Sequence, residues 1–125
     1  MREDFIGLFR NEPDGIVLQP GQELFKKGDV GNYMYVVKSG ELQVIDGNHV
    51  FETVSEGGIV GEMALISSDI RTASVRAVTK SVVIPVNERR FMFLVQQTPF
   101  FAIRVMRVMS ARLKMMNERV TYLSK

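Results

Sequence analysis

All ten glycines of this 125-residue chain fall at or before Gly61. That asymmetry divides the chain into two patterns, because glycine serves the tight turns between strands and its absence permits long helix. Before Gly61, short apolar runs alternate with turn signals, the pattern of an antiparallel β domain. "YMYVVK" (33–38) and "ELQVID" (41–46) are rich in β-branched and aromatic residues, and Ser39-Gly40 can turn the chain between them. Asp46-Gly47-Asn48 marks a second turn, leading into "HVFETV" (49–54). Further on, "ASVRAV" (73–78) and "SVVIPV" (81–86) read as another strand pair around Thr79-Lys80. Seven or eight short strands with glycine-rich turns predict a sandwich or jelly-roll barrel.

From Asn87 the pattern becomes helical. Asn87 suits the N-cap of "ERRFMFLVQQ", and Thr98-Pro99 offers a cap followed by proline at a helix start. Between Pro99 and Leu123, Ala102, Met106, Met109, Leu113, Met116, Val120 and Leu123 recur at alternating gaps of four and three. Such a heptad stripe predicts a seam against another helix. A helix of that span is about 37 Å long at 1.5 Å per residue and overshoots a small barrel, which favours self-association. The expected layout is one domain: a mainly β jelly-roll over 1–86 with a short N-terminal helix, a helix over 87–97, and a long dimerisation helix over 98–125.

Composition narrows the chemistry. Hydrophobic residues are 46% and charged residues 24%, as in a globular domain. No cysteine is present and His49 is the lone histidine, so thiolate metal sites and histidine clusters are excluded. The N-terminus lacks the apolar run of a secretory signal, and no stretch reaches the ~18 apolar residues of a membrane span, so the expectation is a cytoplasmic protein. Residues 1–97 carry ten Lys/Arg against thirteen Asp/Glu, a net −3; residues 98–125 carry six basic side chains against Glu118, a net +5. A basic tail suits an anionic partner or an ordinary solvated helix face.

"GEMALISSDIRTASV" (61–75) sets an acid, Glu62, nine residues before a base, Arg71. Gly61 allows backbone to approach a ligand closely, and one helical turn after it would aim N–H groups at an anion. Arg71 could add a bidentate donor, and Glu62 could accept from a sugar hydroxyl. A ribose-phosphate clamp and a plain salt bridge both fit these residues.

"GEMALISSDIRTASVRA" resembles the phosphate-binding cassette of the cyclic nucleotide-binding domain family, and "LQPGQELFKKGDVGNYMYVVKSGELQV" (18–44) resembles the same family upstream. The resemblance spans about Phe5 to the final helix and is nearest to catabolite-activator-type bacterial regulators. Ile70 and Val60 depart from the frequent proline and phenylalanine. The resemblance implies that Glu62 holds the ribose 2′-hydroxyl and Arg71 the cyclic phosphate. It further implies that Gly61, the N–H groups of Met63 and Ala64, and the Thr72 hydroxyl complete the cradle. Val44 and Val54 would line the base pocket or simply belong to the core, and Asn117 would touch the base or face solvent.

A chain of this kind would be a cyclic nucleotide sensor, with cyclic AMP favoured over cyclic GMP and no metal. It would form a homodimer through 99–123, bind no DNA directly, and act on a downstream protein that the sequence does not name. A ligand-independent dimerisation adaptor with a decayed pocket is the rival. A hydrolase is opposed by the missing metal-ligand and paired-carboxylate motifs, so no enzymatic activity is expected.

Overall fold

The computed structural model describes Phe9, residues 15–66 and residues 69–123, with side chains in the last helix described through Met115 and at Asn117. These residues form eight strands: β1 (Ile16–Leu18), β2 (Glu23–Phe25), β3 (Tyr33–Ser39), β4 (Glu41–Asp46), β5 (His49–Ser55), β6 (Ile59–Val60), β7 (Ser74–Ala77) and β8 (Ser81–Asn87). They make two antiparallel four-stranded sheets, ordered β1-β8-β3-β6 and β2-β7-β4-β5. Among the described residues three helices are delimited: α1 (Met63–Ile66), α2 (Glu88–Gln97) and α3 (Phe100–Leu123). This is the jelly-roll with flanking helices that the turn spacing predicts. Of the expected N-terminal helix, only Phe9 lies within the described residues; it is helical and buried.

Two of the anticipated pairings are absent. β3 and β4 lie in different sheets, and so do β7 and β8. Ser39-Gly40 and Thr79-Lys80 are corners at which the chain passes from one sheet to the other, and the two corners are tied together. Glu41 N–H donates to Thr79 Oγ1 at 3.1 Å, Val78 N–H donates to Glu41 O at 2.9 Å, and the buried Ser81 hydroxyl donates to Thr79 O at 2.8 Å. Gly40 sits at φ 90°, and a Cβ there would lie 2.6 Å from Lys80 O, so only glycine fits the crossing. By contrast, β4 and β5 form the hairpin expected from Asp46-Gly47-Asn48, with Asp46 opposite His49 and Gly47 at φ 60°.

Alternation along the first sheet supplies two cores. Val37, Val60 and Val83 face the second sheet, where they meet Leu42, Val54, Val75 and Ala77. Met34, Val36, Ile59, Ile84 and Val86 face the helices, where they meet Phe101 and Val105. Asn87 caps α2 by accepting the Arg90 N–H at 2.8 Å, as its position in the sequence predicts.

The residues of the heptad stripe do not share one environment within the chain. Helix α3 docks through Phe101 and Val105, with Val108 and Met109 packed beside them. Met109 therefore belongs to the chain's own core, because it lies only about 80° around the helix from Phe101. Met106 and Leu113 remain open, at 58% and 59% exposure. The side chains of Met116, Val120 and Leu123 lie outside the described set.

Candidate functional site

The site begins where β6 ends. Gly61, at φ 76°, adopts a left-handed conformation that turns the chain off the sheet and into the single turn of α1. Leu65 packs this turn onto the helix-side core, while Met63 stays 39% exposed. Ala64 N–H, expected to face an anion, donates to Gly61 O at 3.2 Å.

Arg71 arrives from the opposite side. Its backbone N–H donates to Asp29 O and its carbonyl accepts from Gly28 N–H, each at 2.8 Å, so the segment is stitched to the loop before β3. The side chain is 6% exposed. Its Nη1 donates to Gly61 O at 3.2 Å and its Nη2 to Tyr33 O at 2.8 Å. The guanidinium carbon lies 3.9 Å from the centre of the Phe25 ring. Burial pulls the Arg71 pKa below the ordinary arginine value, against partial support from Tyr35, Asp29 and Glu62.

Glu62 does not form the surface salt bridge with Arg71 that the sequence leaves open. It is 3% exposed, and its partner is Arg112 of α3, Nη1 to Oε1 at 2.5 Å. Arg112 also grips Glu52 of β5, through Nε at 2.8 Å and Nη2 at 3.2 Å, and donates from Nη2 to Ile59 O at 2.6 Å. Burial alone would depress Arg112, but Glu52 and Glu62 outweigh it and hold the guanidinium pKa above its ordinary value. The terminal helix is thus fastened to both β5 and the cradle by one side chain.

Sequence reasoning missed Arg112. The available signal was its phase: it falls eleven residues after Phe101 and seven after Val105, on the face that meets the barrel. An arginine on a buried face requires carboxylate partners.

The remaining expected residues divide. Val44 lies opposite Glu52 across the β4–β5 pair and is half-buried, so it shares a face with the ion network. Val54 is 4% exposed within the inter-sheet core. Thr72 is exposed beside Arg71. Asn117 is exposed, and five residues along a helix place it about 140° from Arg112. The fold therefore sets Gly61, Glu62, Met63 and Ala64 on one turn, with Arg71 against Gly61 O and Thr72 beside it, while Val44 and Val54 both pack on the inter-sheet core and Asn117 lies on a different side of α3 from Arg112.

Among the described residues, no group of three or more His, Cys, Asp or Glu side chains could hold a metal ion. His49 sits edge-on to Phe51 at 4.7 Å on the exposed hairpin. No helix among the described residues is long and apolar enough to cross a membrane.

Residues 16–98, more than half of the chain, match the family model described as cyclic nucleotide-binding domain. A cyclic nucleotide-gated channel of Caenorhabditis elegans is 44% identical over 70 residues, covering 50% of this chain and 10% of the channel. The cAMP-dependent protein kinase regulatory subunit of Schizosaccharomyces pombe is 38% identical over 66 residues, covering 52% of this chain and 16% of the subunit. The Thermus thermophilus catabolite activator protein superposes with a TM-score of 0.77 at 23% identity, covering 89% of this chain and 55% of that one. The last likeness is one of fold. The chain spans a small fraction of the length of the curated relatives it matches.

Proposed function

The chain belongs to the cyclic nucleotide-binding domain family, and from that premise we propose that it binds a cyclic nucleotide, with cyclic AMP favoured, as a regulatory dimer without catalytic activity of its own. The observation that carries this reading is the buried Arg71 guanidinium set against the Gly61 turn, with the Glu62 carboxylate on the same turn. In this reading Arg71 takes the cyclic phosphate, Met63 N–H and the Thr72 hydroxyl support it, and Glu62 accepts the ribose 2′-hydroxyl through the oxygen that Arg112 does not hold. Val44 and Glu52 border the base. The preference for adenine draws support from the kinase relative, whose name specifies cyclic AMP. Calorimetric titration with cyclic AMP, cyclic GMP and AMP tests the proposal. Saturable binding of a cyclic nucleotide but not of AMP is expected, and no heat with any of them returns the chain to the adaptor reading.

Glu62→Gln is expected to weaken cyclic AMP by about tenfold, roughly 1.4 kcal/mol, and the 2′-deoxy analogue by much less. Equal losses for both ligands would remove the sugar role.

The dimer is proposed to form through α3. Met106 and Leu113 are exposed on one side of this helix, and Asn117 lies within about 40° of both. In a two-fold pair, Asn117 would face the second copy, where it could reach the base bound there. Leu113→Glu places like charges into that seam, so sedimentation should show monomers at micromolar concentration where the wild type is dimeric. A monomeric wild type would discard the seam.

A further inference from the structure

We propose that Phe25 is a positioning residue for anion binding: its ring is a shelf that fixes the Arg71 guanidinium in the orientation from which it takes a phosphate. The proposal rests on the cyclic nucleotide reading above and assigns a residue outside the cassette to that same site.

Phe25 closes β2 and lies beside the inter-sheet core. Its placement depends on an irregularity in the strand. Glu23 pairs with Arg76, so a regular ladder would set Phe25 opposite Ser74; a register shift sets it opposite Val75 instead. Irregularities of this kind re-aim a side chain, and a slip of one residue changes the face a side chain occupies. The ring that results lies 3.9 Å from the Arg71 guanidinium carbon. Tyr35 backs it, stacked at 6.2 Å between ring centres and 6.0 Å from the same carbon.

The surroundings of the guanidinium explain why a shelf matters. Nη1 and Nη2 are tied to the carbonyls of Gly61 and Tyr33, but Nε–H is buried with no acceptor among the described residues. A methyl group at Gly31 would overlap Nε, Cζ and Nη2 together, so the guanidinium keeps its place only because residue 31 is glycine. Two carbonyls alone leave a long side chain free to tilt out of their plane, whereas a ring against the flat face opposes that tilt. A buried donor without an acceptor is unfavourable, and a phosphate oxygen would relieve it with a charge-assisted bond. Phe25 therefore holds the buried donor in one orientation, so that an arriving phosphate oxygen meets a fixed partner rather than a tilting one.

The experiment is a double-variant cycle read by calorimetry with cyclic AMP. Phe25→Leu, which keeps an apolar side chain at the core edge, is expected to lose about tenfold in affinity, and Phe25→Tyr to stay within about threefold of wild type. In an Arg71→Ala background, Phe25→Leu should change nothing further, because the shelf has no cation to hold. The second readout is the Arg71 Nε–H resonance of the ligand-free protein. Ring current should move it upfield in the wild type and in Phe25→Tyr, and Phe25→Leu should abolish the displacement. Unchanged affinity in Phe25→Leu, or an equal loss with and without Arg71, overturns the proposal, since a purely structural phenylalanine gives one of those two results. A wild type that binds no cyclic nucleotide overturns the functional reading instead, and the Nε–H resonance then decides the shelf: displaced, it stands, and undisplaced, it falls.

Discussion

Arg71→Ala is expected to reduce cyclic nucleotide affinity by about 30-fold to several thousand-fold while leaving both sheets folded. The range comes from removing one partner of a desolvated charge contact, which costs about 2–5 kcal/mol. Arg71 meets that condition because it is 6% exposed, so little water competes for its donors. The fold should survive because the backbone bonds of residue 71 to Gly28 and Asp29 do not involve the side chain. Arg71→Lys is expected to fall between the two, since an ammonium keeps the charge but loses the planar fork that reaches Gly61 O and Tyr33 O together. Calorimetry gives the affinities and circular dichroism the fold. Binding by Arg71→Ala within threefold of wild type would show that another group holds the phosphate.

Arg112→Leu is expected to lower stability by roughly 3 kcal/mol, because it strands Glu62 at 3% exposure without its ion partner and leaves Glu52 and Ile59 O without their donor. The effect should exceed that of Glu52→Gln, in which Arg112 keeps Glu62. Combining Arg112→Leu with Glu62→Gln should recover part of the loss, since an uncharged side chain costs less to bury. Urea unfolding at one fixed protein concentration measures all of these variants. A midpoint unchanged by Arg112→Leu would mean that the apolar contacts of Phe101 and Val105 fasten α3 without help.

The sequence conveyed the local features of the fold and withheld the non-local ones. Gly47 between Asp46 and Asn48 is a hairpin signal because turn chemistry is local, and Asn87 is a cap for the same reason. Which sheet a strand joins is not local. β3 and β4 are adjacent in sequence and look like a hairpin, yet β3 takes β8 as its partner because Met34 and Val36 must lie beside Ile84 and Val86. The candidate site divides the same way. Gly61, Glu62 and Arg71 sit within eleven residues and form a legible motif. Arg112 lies 50 residues from Glu62, in a helix whose stripe of methionines marks a different face. Phe25 lies 46 residues before Arg71, and its contact depends on a register shift that no residue type announces. Asn117 is exposed on the same side of α3 as Met106 and Leu113, a direction that helical spacing alone conveys.

The pairing of the first strand with the last has a consequence for how the molecule is made. β1 has β8 as its ladder partner, with Ile16 opposite Val83, and β3 takes most of its ladder from β8 as well. A chain emerging from synthesis therefore carries β1 and β3 for some fifty residues before the strand that completes their sheet exists. Pairings at such separation must close a long loop before any bond rewards it, and domains dominated by them fold in milliseconds to seconds. The helix-side core waits on the same event, because Ile84 and Val86 form part of its floor and α3 comes after them in the chain. The proposed site waits with it: Glu62 has its ion partner, Arg112, only once α3 has been made, so the Gly61 turn and the helix that fastens it are completed in the last stage of folding.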